Sequence, residues 1–217
     1  MSVSTTSIAV LAKEPLPGRT KTRLSPPFTL VEAAALAEDM LRDTLDAVNG
    51  SCSRRKVIVL EGNPGRWVPD GFEVISQRGM DQAARIASAF ADLNGPAVLI
   101  GMDTPQITSQ LLDEAIAELW KSGIDAVLGP ASDGGWWLAG LRKPNPAAFR
   151  EVQMSQPDTA AHQRRRFESL SLRWSEIGML TDVDDWPSAV ATAAAAPSSR
   201  FAQLFAQLND RLPAESP

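Results

Sequence analysis

The chain has 217 residues, of which 44% are hydrophobic and 22% charged, and its formal net charge is −5. That length suits one α/β domain with a real core, and an acidic chain has no general electrostatic attraction for nucleic acid. One cysteine, Cys52, and one histidine, His162, exclude an internal disulfide and leave little for a His-based metal site or a Ser-His-Asp triad.

Taken in chain order, the pattern alternates. The apolar run Ile8 to Ala12 predicts a buried strand, and Leu30 to Val48 carries apolar residues at helical spacing. Lys56 to Leu60 and Phe72 to Ser76 read as strands, Asp81 to Leu93 as a helix ended by Asn94-Gly95. Ala97 to Gly101 is a strand, and Thr108 to Lys121 a helix with Thr108 as N-cap. Asp125 to Leu128 and Trp136 to Leu141 are further strands. Thr159 to Leu170 is a helix, Leu172 to Trp174 a short strand, and Trp186 to Ala195 a short helix. Residues 1–196 are expected to form one domain, and 197–217 a tail with a short helix at Phe201 to Leu208. No run is apolar and long enough to span a membrane. The start, MSVSTTSIAV, lacks the basic stretch of a signal peptide, so a cytoplasmic protein without a membrane partner is expected. The alternation argues for a mainly parallel sheet with helices on both faces. Ligands of such sheets sit beyond the carboxyl ends of the strands.

Four stretches fall at those ends. The first, AKEPLPGRTKTRL, gathers Lys13, Arg19, Lys21 and Arg23 on one loop after the first strand. Gly18 and its flanking prolines shape a turn, and the cations suit a bound phosphate. The loop matches neither the dinucleotide fingerprint nor the Walker pattern, and a merely solvated basic loop stays open. The second, GMDTP, delivers Asp103 to the sheet edge, a hard oxygen ligand of the kind Mg²⁺ or Mn²⁺ uses beside substrate phosphates. In the third, TDVDDW, alternation puts Asp182 and Asp184 on one side. One of its acids could join Asp103 on a metal and another could cap the next helix. The fourth, GPASDGGWW, holds Asp133 for a hydroxyl or the metal. Its Gly134 and Gly135 permit close backbone approach to a ligand. Asp-Gly equally suits a plain hairpin. Trp136 and Trp137 should face opposite sides, one toward the core and one toward a pocket.

As an ordered set these motifs resemble the DUF2064 family, also called rSAM/selenodomain-associated transferase 1, of the nucleotide-diphospho-sugar transferase superfamily. The Gln77 to Arg85 segment and MSQPDTA at Met154 to Ala160 belong to the same set, which spans about Ile8 to Val190. The basic loop and the helix after it also look like phospholactate guanylyltransferases. Trp136-Trp137 departs from the smaller aromatics usual in the family. The resemblance implies a single Rossmann-like, three-layer GT-A domain. It implies a donor nucleotide held by Lys13, Gly18, Arg19, Lys21 and Arg23, with Gln77 and Arg85 nearby. Asp103 and Asp184 would bind Mg²⁺ or Mn²⁺. Asp133, Gly134 and Gly135 would border the acceptor or sugar side. Lys21, Arg23, Asp103 and Asp133 would carry the catalysis, Asp133 as the candidate general base.

Ser155-x-x-Asp158 reads as a near capping box, a role weighed above ligand contact. His162 is expected to be a surface or packing residue. The expected activity is metal-dependent transfer from a nucleotide or nucleotide-sugar donor to a small-molecule acceptor. The reading leans to nucleotidyl transfer, because Asp103 stands without the Asp-x-Asp common in glycosyltransferases of this fold. Glycosyl transfer is the alternative, and a non-catalytic nucleotide-binding module is a third. A redox protein is disfavoured by the missing glycine fingerprint.

Overall fold

The computed structural model describes residues 5–212. Seven strands and six α-helices alternate along them: β1 Ser7–Lys13, α1 Leu30–Gly50, β2 Lys56–Glu61, β3 Phe72–Ser76, α2 Gln82–Leu93, β4 Ala97–Gly101, α3 Ser109–Leu119, β5 Ala126–Pro130, β6 Trp136–Leu141, α4 Thr159–Ser169, β7 Trp174–Glu176, α5 Trp186–Ala195 and α6 Arg200–Asn209. One sheet carries them in the order β3-β2-β1-β4-β6-β5-β7. Only β6 runs against its neighbours. β5 therefore points the same way as β4, and the carboxyl ends of β1, β2, β4, β5 and β7 share one edge.

Strand alternation explains the two layers. Ile8, Val10, Ile58, Val98, Ile100 and Trp137 face the layer that contains α1, α3 and α6. Ala9, Val57, Val59, Leu99 and Leu128 face the layer of α2 and α4, filled by Phe90, Phe149 and Phe167. Phe90 and Phe149 stack with ring centroids 4.5 Å apart. The two adjacent tryptophans divide as expected. Trp137 is buried and donates from its indole to Gly178 O at 3.0 Å, whereas Trp136 packs toward Phe149 on the opposite face. The strand expected at Leu172 to Trp174 lies two residues later. Ser171 takes a positive φ, and pairing with β5 begins only at Trp174.

The longest helix, α1, is set by its start. Thr29 accepts from Glu32 N at 3.2 Å, and Glu32 accepts from Thr29 N at 2.9 Å, a reciprocal capping box. Thr29→Ala leaves the Glu32 amide without its side-chain acceptor. It is expected to cost about 1 kcal/mol, read as a lower urea midpoint at an unchanged m-value. At the other end of the chain, α6 lays Phe201, Phe205 and Leu208 into the core beside α1. Asp43 of α1 accepts from the backbone amides of Arg200 and Phe201, both at 3.0 Å. Among the described residues no helix is long and apolar enough to cross a membrane.

Candidate active site

The loops after β1, β4 and β7 converge on one ammonium. Lys21 Nζ lies 3.0 Å from Asp103 Oδ1 and 3.0 Å from Asp184 Oδ1. Its side chain is only 8% exposed, while the two aspartates are 37% and 46% exposed. Lys21 stands in the left-handed region, φ 48, which turns its side chain out of the loop's general course. Burial alone would lower the ammonium's pKa, but the facing Asp103 and Asp184 outweigh it and hold the pKa above its ordinary value. Arg23 lies 3.9 Å from Asp184 on the solvent side.

The acidic loop after β7 is stitched to its neighbours rather than hanging free. Val183 N donates to Asp103 O at 2.9 Å, Gln106 Nε2 to Thr181 O at 2.7 Å, and Ser132 Oγ to Thr181 Oγ1 at 3.0 Å. Its acids then divide their work. Asp185 caps α5 by accepting from Ser188 N at 3.0 Å, and Asp184 meets Lys21. Asp182 accepts from Thr104 Oγ1 at 3.1 Å.

A pocket of about 560 Å³ opens over this edge. Lys21, Arg23, Asp103, Asp133, Asp182 and Asp184 supply its charge, and Leu11, Ile86, Leu99 and Trp136 its apolar floor. Burial pushes the Asp182 carboxyl up to about 7, aided by Asp103 and Asp133 and opposed by Thr104 and Lys21. A folded-state pKa above the unfolded one means that folding takes up a proton. The contribution of Asp182 to stability is thus fully present below the ordinary carboxylate pKa and is lost as pH rises through about 7. Asp182→Asn is expected to melt at least roughly 2–4 °C higher than the parent at pH 8, the shift of about 1 kcal/mol in a chain of this size. That gain should vanish toward pH 4. Melting curves at both pH values check it.

Not all the cations of the first loop point here. Lys13 and Arg19 both lie 3.6 Å from Glu61, and Arg85 lies 2.5 Å from it. Burial opposes the ionised form of Glu61, yet Arg85 and Lys13 hold its pKa below the usual carboxylate range. The loop therefore splits its charge between a Glu61 cluster and the Lys21 site. Gln77 donates to Ala12 O at 2.7 Å and Val59 O at 3.1 Å, so its amide clamps the ends of β1 and β2. Gly18, φ 76, makes the exposed turn between the two groups. None of Lys13, Gly18, Arg19, Gln77 or Arg85 lines the pocket.

Of the paired glycines, Gly135 lines the pocket and Gly134 serves the fold. A Cβ at Gly134 would stand 1.7 Å from Pro157 O, and φ there is 89. The close approach that the glycine permits is to the 153–158 segment. Asp133 Oδ1 accepts from Gly135 N at 2.8 Å, which shapes the β5–β6 turn. The stretch forms the hairpin between β5 and β6, and Asp133 and Gly135, but not Gly134, line the pocket.

The capping box expected at Ser155 is not formed. Asp158 occupies the N-cap of α4 without a side-chain bond, and Ser155, at φ 57, donates to Gln82 Oε1 at 2.9 Å across the pocket. Thr159 anchors this segment by donating toward Gln153 O and Gln156 O and accepting from Gln156 N. Gln82 and Gln156, which carry no sequence signal, also line the pocket, as do Ser155, expected as a cap, and Asp182, one of the acids expected near Asp103. The clue available for Ser155 was Gly134, whose backbone freedom demanded a partner segment. His162, on α4, lies 3.3 Å from Asp158 and does not line the pocket.

Known proteins resemble this chain over most of its length. The model of the family described as uncharacterised protein conserved in bacteria, DUF2064, matches residues 36–156. A 3-phospho-D-glycerate guanylyltransferase of Phenylobacterium zucineum is 32% identical over 210 residues, covering 88% of this chain and 92% of that protein. A Desulfovibrio desulfuricans structure described as a nucleotide-diphospho-sugar transferase superposes with a TM-score of 0.83 at 24% identity, covering 97% of this chain and 96% of that one. The 2-C-methyl-D-erythritol 4-phosphate cytidylyltransferase of Thermus thermophilus superposes with a TM-score of 0.55 at 14% identity, over 89% and 99% of the two chains. The chain belongs to the DUF2064 family and has the fold of the nucleotide-diphospho-sugar transferases.

Proposed function

We propose that this transferase moves a nucleotidyl group from a nucleoside triphosphate to a small phosphorylated acceptor, in a reaction that needs a divalent cation. The observation that carries the reading is the convergence of Asp103 and Asp184 on the buried Lys21 at the pocket. Two carboxylates from separate loops, beside space for phosphate oxygens, fit Mg²⁺ or Mn²⁺, which takes one or two carboxylates and completes its shell from phosphates and water. The charge balance points the same way. The pocket lining carries two cations against four carboxylates, so a triphosphate needs a further positive charge to reside there.

Asp103 and Asp184 would hold the metal. When bound, it neutralises phosphate charge and polarises the phosphorus under attack. An acceptor phosphate oxygen forms the new bond to the α-phosphorus, and the bond to pyrophosphate breaks. Lys21 and Arg23 stabilise the charge that gathers on the departing oxygens. A phosphate nucleophile is already ionised near neutral pH, so no side chain need remove its proton. Asp133 then orients rather than deprotonates. Guanine as the base and a phosphoglycerate-like acceptor follow the 32% identical relative. The test is a thermal-shift series with Mg²⁺, the four nucleoside triphosphates and a set of nucleotide sugars. Metal-dependent stabilisation by GTP above the others is expected. Stabilisation by a nucleotide sugar alone would replace this reading with glycosyl transfer.

A further inference from the structure

We propose that Lys21 is a built-in counter-cation that closes the metal site, and that the donor's phosphates open it by taking up the ammonium. The proposal rests on the metal-dependent reading above and adds an order to it. Both carboxylates that would hold the metal already engage Lys21 Nζ, at 3.0 Å from Asp103 Oδ1 and 3.0 Å from Asp184 Oδ1. An ammonium and a divalent cation cannot share that space. The side chain is 8% exposed, so the ammonium is largely cut off from water and depends on these partners. Arg23, by contrast, is 76% exposed and touches only the outer oxygen of Asp184. Lys21 is therefore the gate and Arg23 is not.

A bare metal ion must expel the ammonium into a pocket that offers it Asp133 and Asp182 but no phosphate. A metal–triphosphate complex carries its own replacement partner, because the phosphate oxygens accept from Lys21 as the metal takes the carboxylates. Metal and nucleotide then bind with positive coupling, and metal alone binds weakly. If the ammonium holds the carboxylates about 90% of the time, the affinity for free metal falls about tenfold. The charge exchange is balanced: one ammonium leaves the two carboxylates, one divalent cation enters, and the ammonium ends on phosphate.

The experiment is a Mn²⁺ titration without nucleotide, with free Mn²⁺ followed by electron paramagnetic resonance. Lys21→Met, and Lys21→Gln as a second variant, are expected to bind Mn²⁺ about tenfold more tightly than the parent. Adding Asp103→Asn to Lys21→Met should abolish the gain. Thermal melting of each variant checks that it is folded. Equal or weaker Mn²⁺ binding by both folded variants overturns the proposal, as does a gain that survives Asp103→Asn. A parallel thermal shift of the parent with Mn²⁺ and each triphosphate keeps the two claims apart. If that shift is present and the Mn²⁺ affinities are equal, the exchange fails alone. If it is absent with all four triphosphates, the proposed function fails with it.

Discussion

Asp103→Asn is expected to lower kcat/KM for nucleotidyl transfer on the order of 10³-fold, the ratio for about 4 kcal/mol of transition-state stabilisation. The fold should be unaffected. Asp103 is 37% exposed, and its backbone carbonyl, which accepts from Val183 N, is retained. Lys21 also keeps Asp184 at 3.0 Å. The variant should therefore stay folded, at a cost of about 1–3 kcal/mol for the partner that the buried ammonium loses. Steady-state kinetics over a range of Mg²⁺ concentrations measure the effect. If excess Mg²⁺ restores full activity at the parent's kcat, Asp103 contributes metal affinity and little else. If activity is unchanged at limiting Mg²⁺, the site is elsewhere.

Gly134→Ala should produce the largest loss of stability. The added Cβ would lie 1.7 Å from Pro157 O and 2.5 Å from Pro157 C, both backbone atoms, at a φ of 89 that alanine resists. Ala160 N also donates to Gly134 O at 2.9 Å, so the β5–β6 turn and the start of α4 are fixed to each other here. One or both must move. The expected cost is about 3 kcal/mol, roughly 6–12 °C in melting temperature for a chain of this size. Because Ser155 and Gln156 ride on the displaced segment and line the pocket, KM for the acceptor should rise as well. Gly178→Ala is the control, since a Cβ there meets nothing within 4 Å. Equal melting of the two variants would remove the argument that the 153–158 segment is seated on Gly134.

Local rules carried the sequence reading furthest where periodicity and chain order decide. Chain order and strand direction bring Asp103 and the acids of TDVDDW to one edge, whereas the choice of Asp184 among those acids comes from the family resemblance. The opposite facing of Trp136 and Trp137 follows from pleating alone. What failed to show was the path of loops. Lys13, Arg19, Lys21 and Arg23 are near in sequence, yet a left-handed residue at Lys21 and a glycine turn at Gly18 send them to two different carboxylate groups. Glu61 was legible in principle. It ends β2 opposite Lys13 in register, so the pair could be inferred once the two strands were placed side by side. The antiparallel direction of β6 follows from the short connection after β5, too short for a parallel crossover, and Asp133-Gly134 suits such a turn. Ser155 was misjudged for a physical reason. Its spacing to Asp158 mimics a cap, but its positive φ turns the side chain toward Gln82 before the helix begins.

The pocket over Lys21, Asp103 and Asp184 is proposed to transfer a nucleotidyl group. The most direct measurement is pyrophosphate release from each of the four nucleoside triphosphates with Mg²⁺, with and without 3-phosphoglycerate and other small phosphorylated acceptors. Release is expected to require both acceptor and metal, to be greatest with GTP, and to be lost in Asp103→Asn. Release of a nucleoside diphosphate from a nucleotide sugar, with no pyrophosphate from any triphosphate, would contradict it.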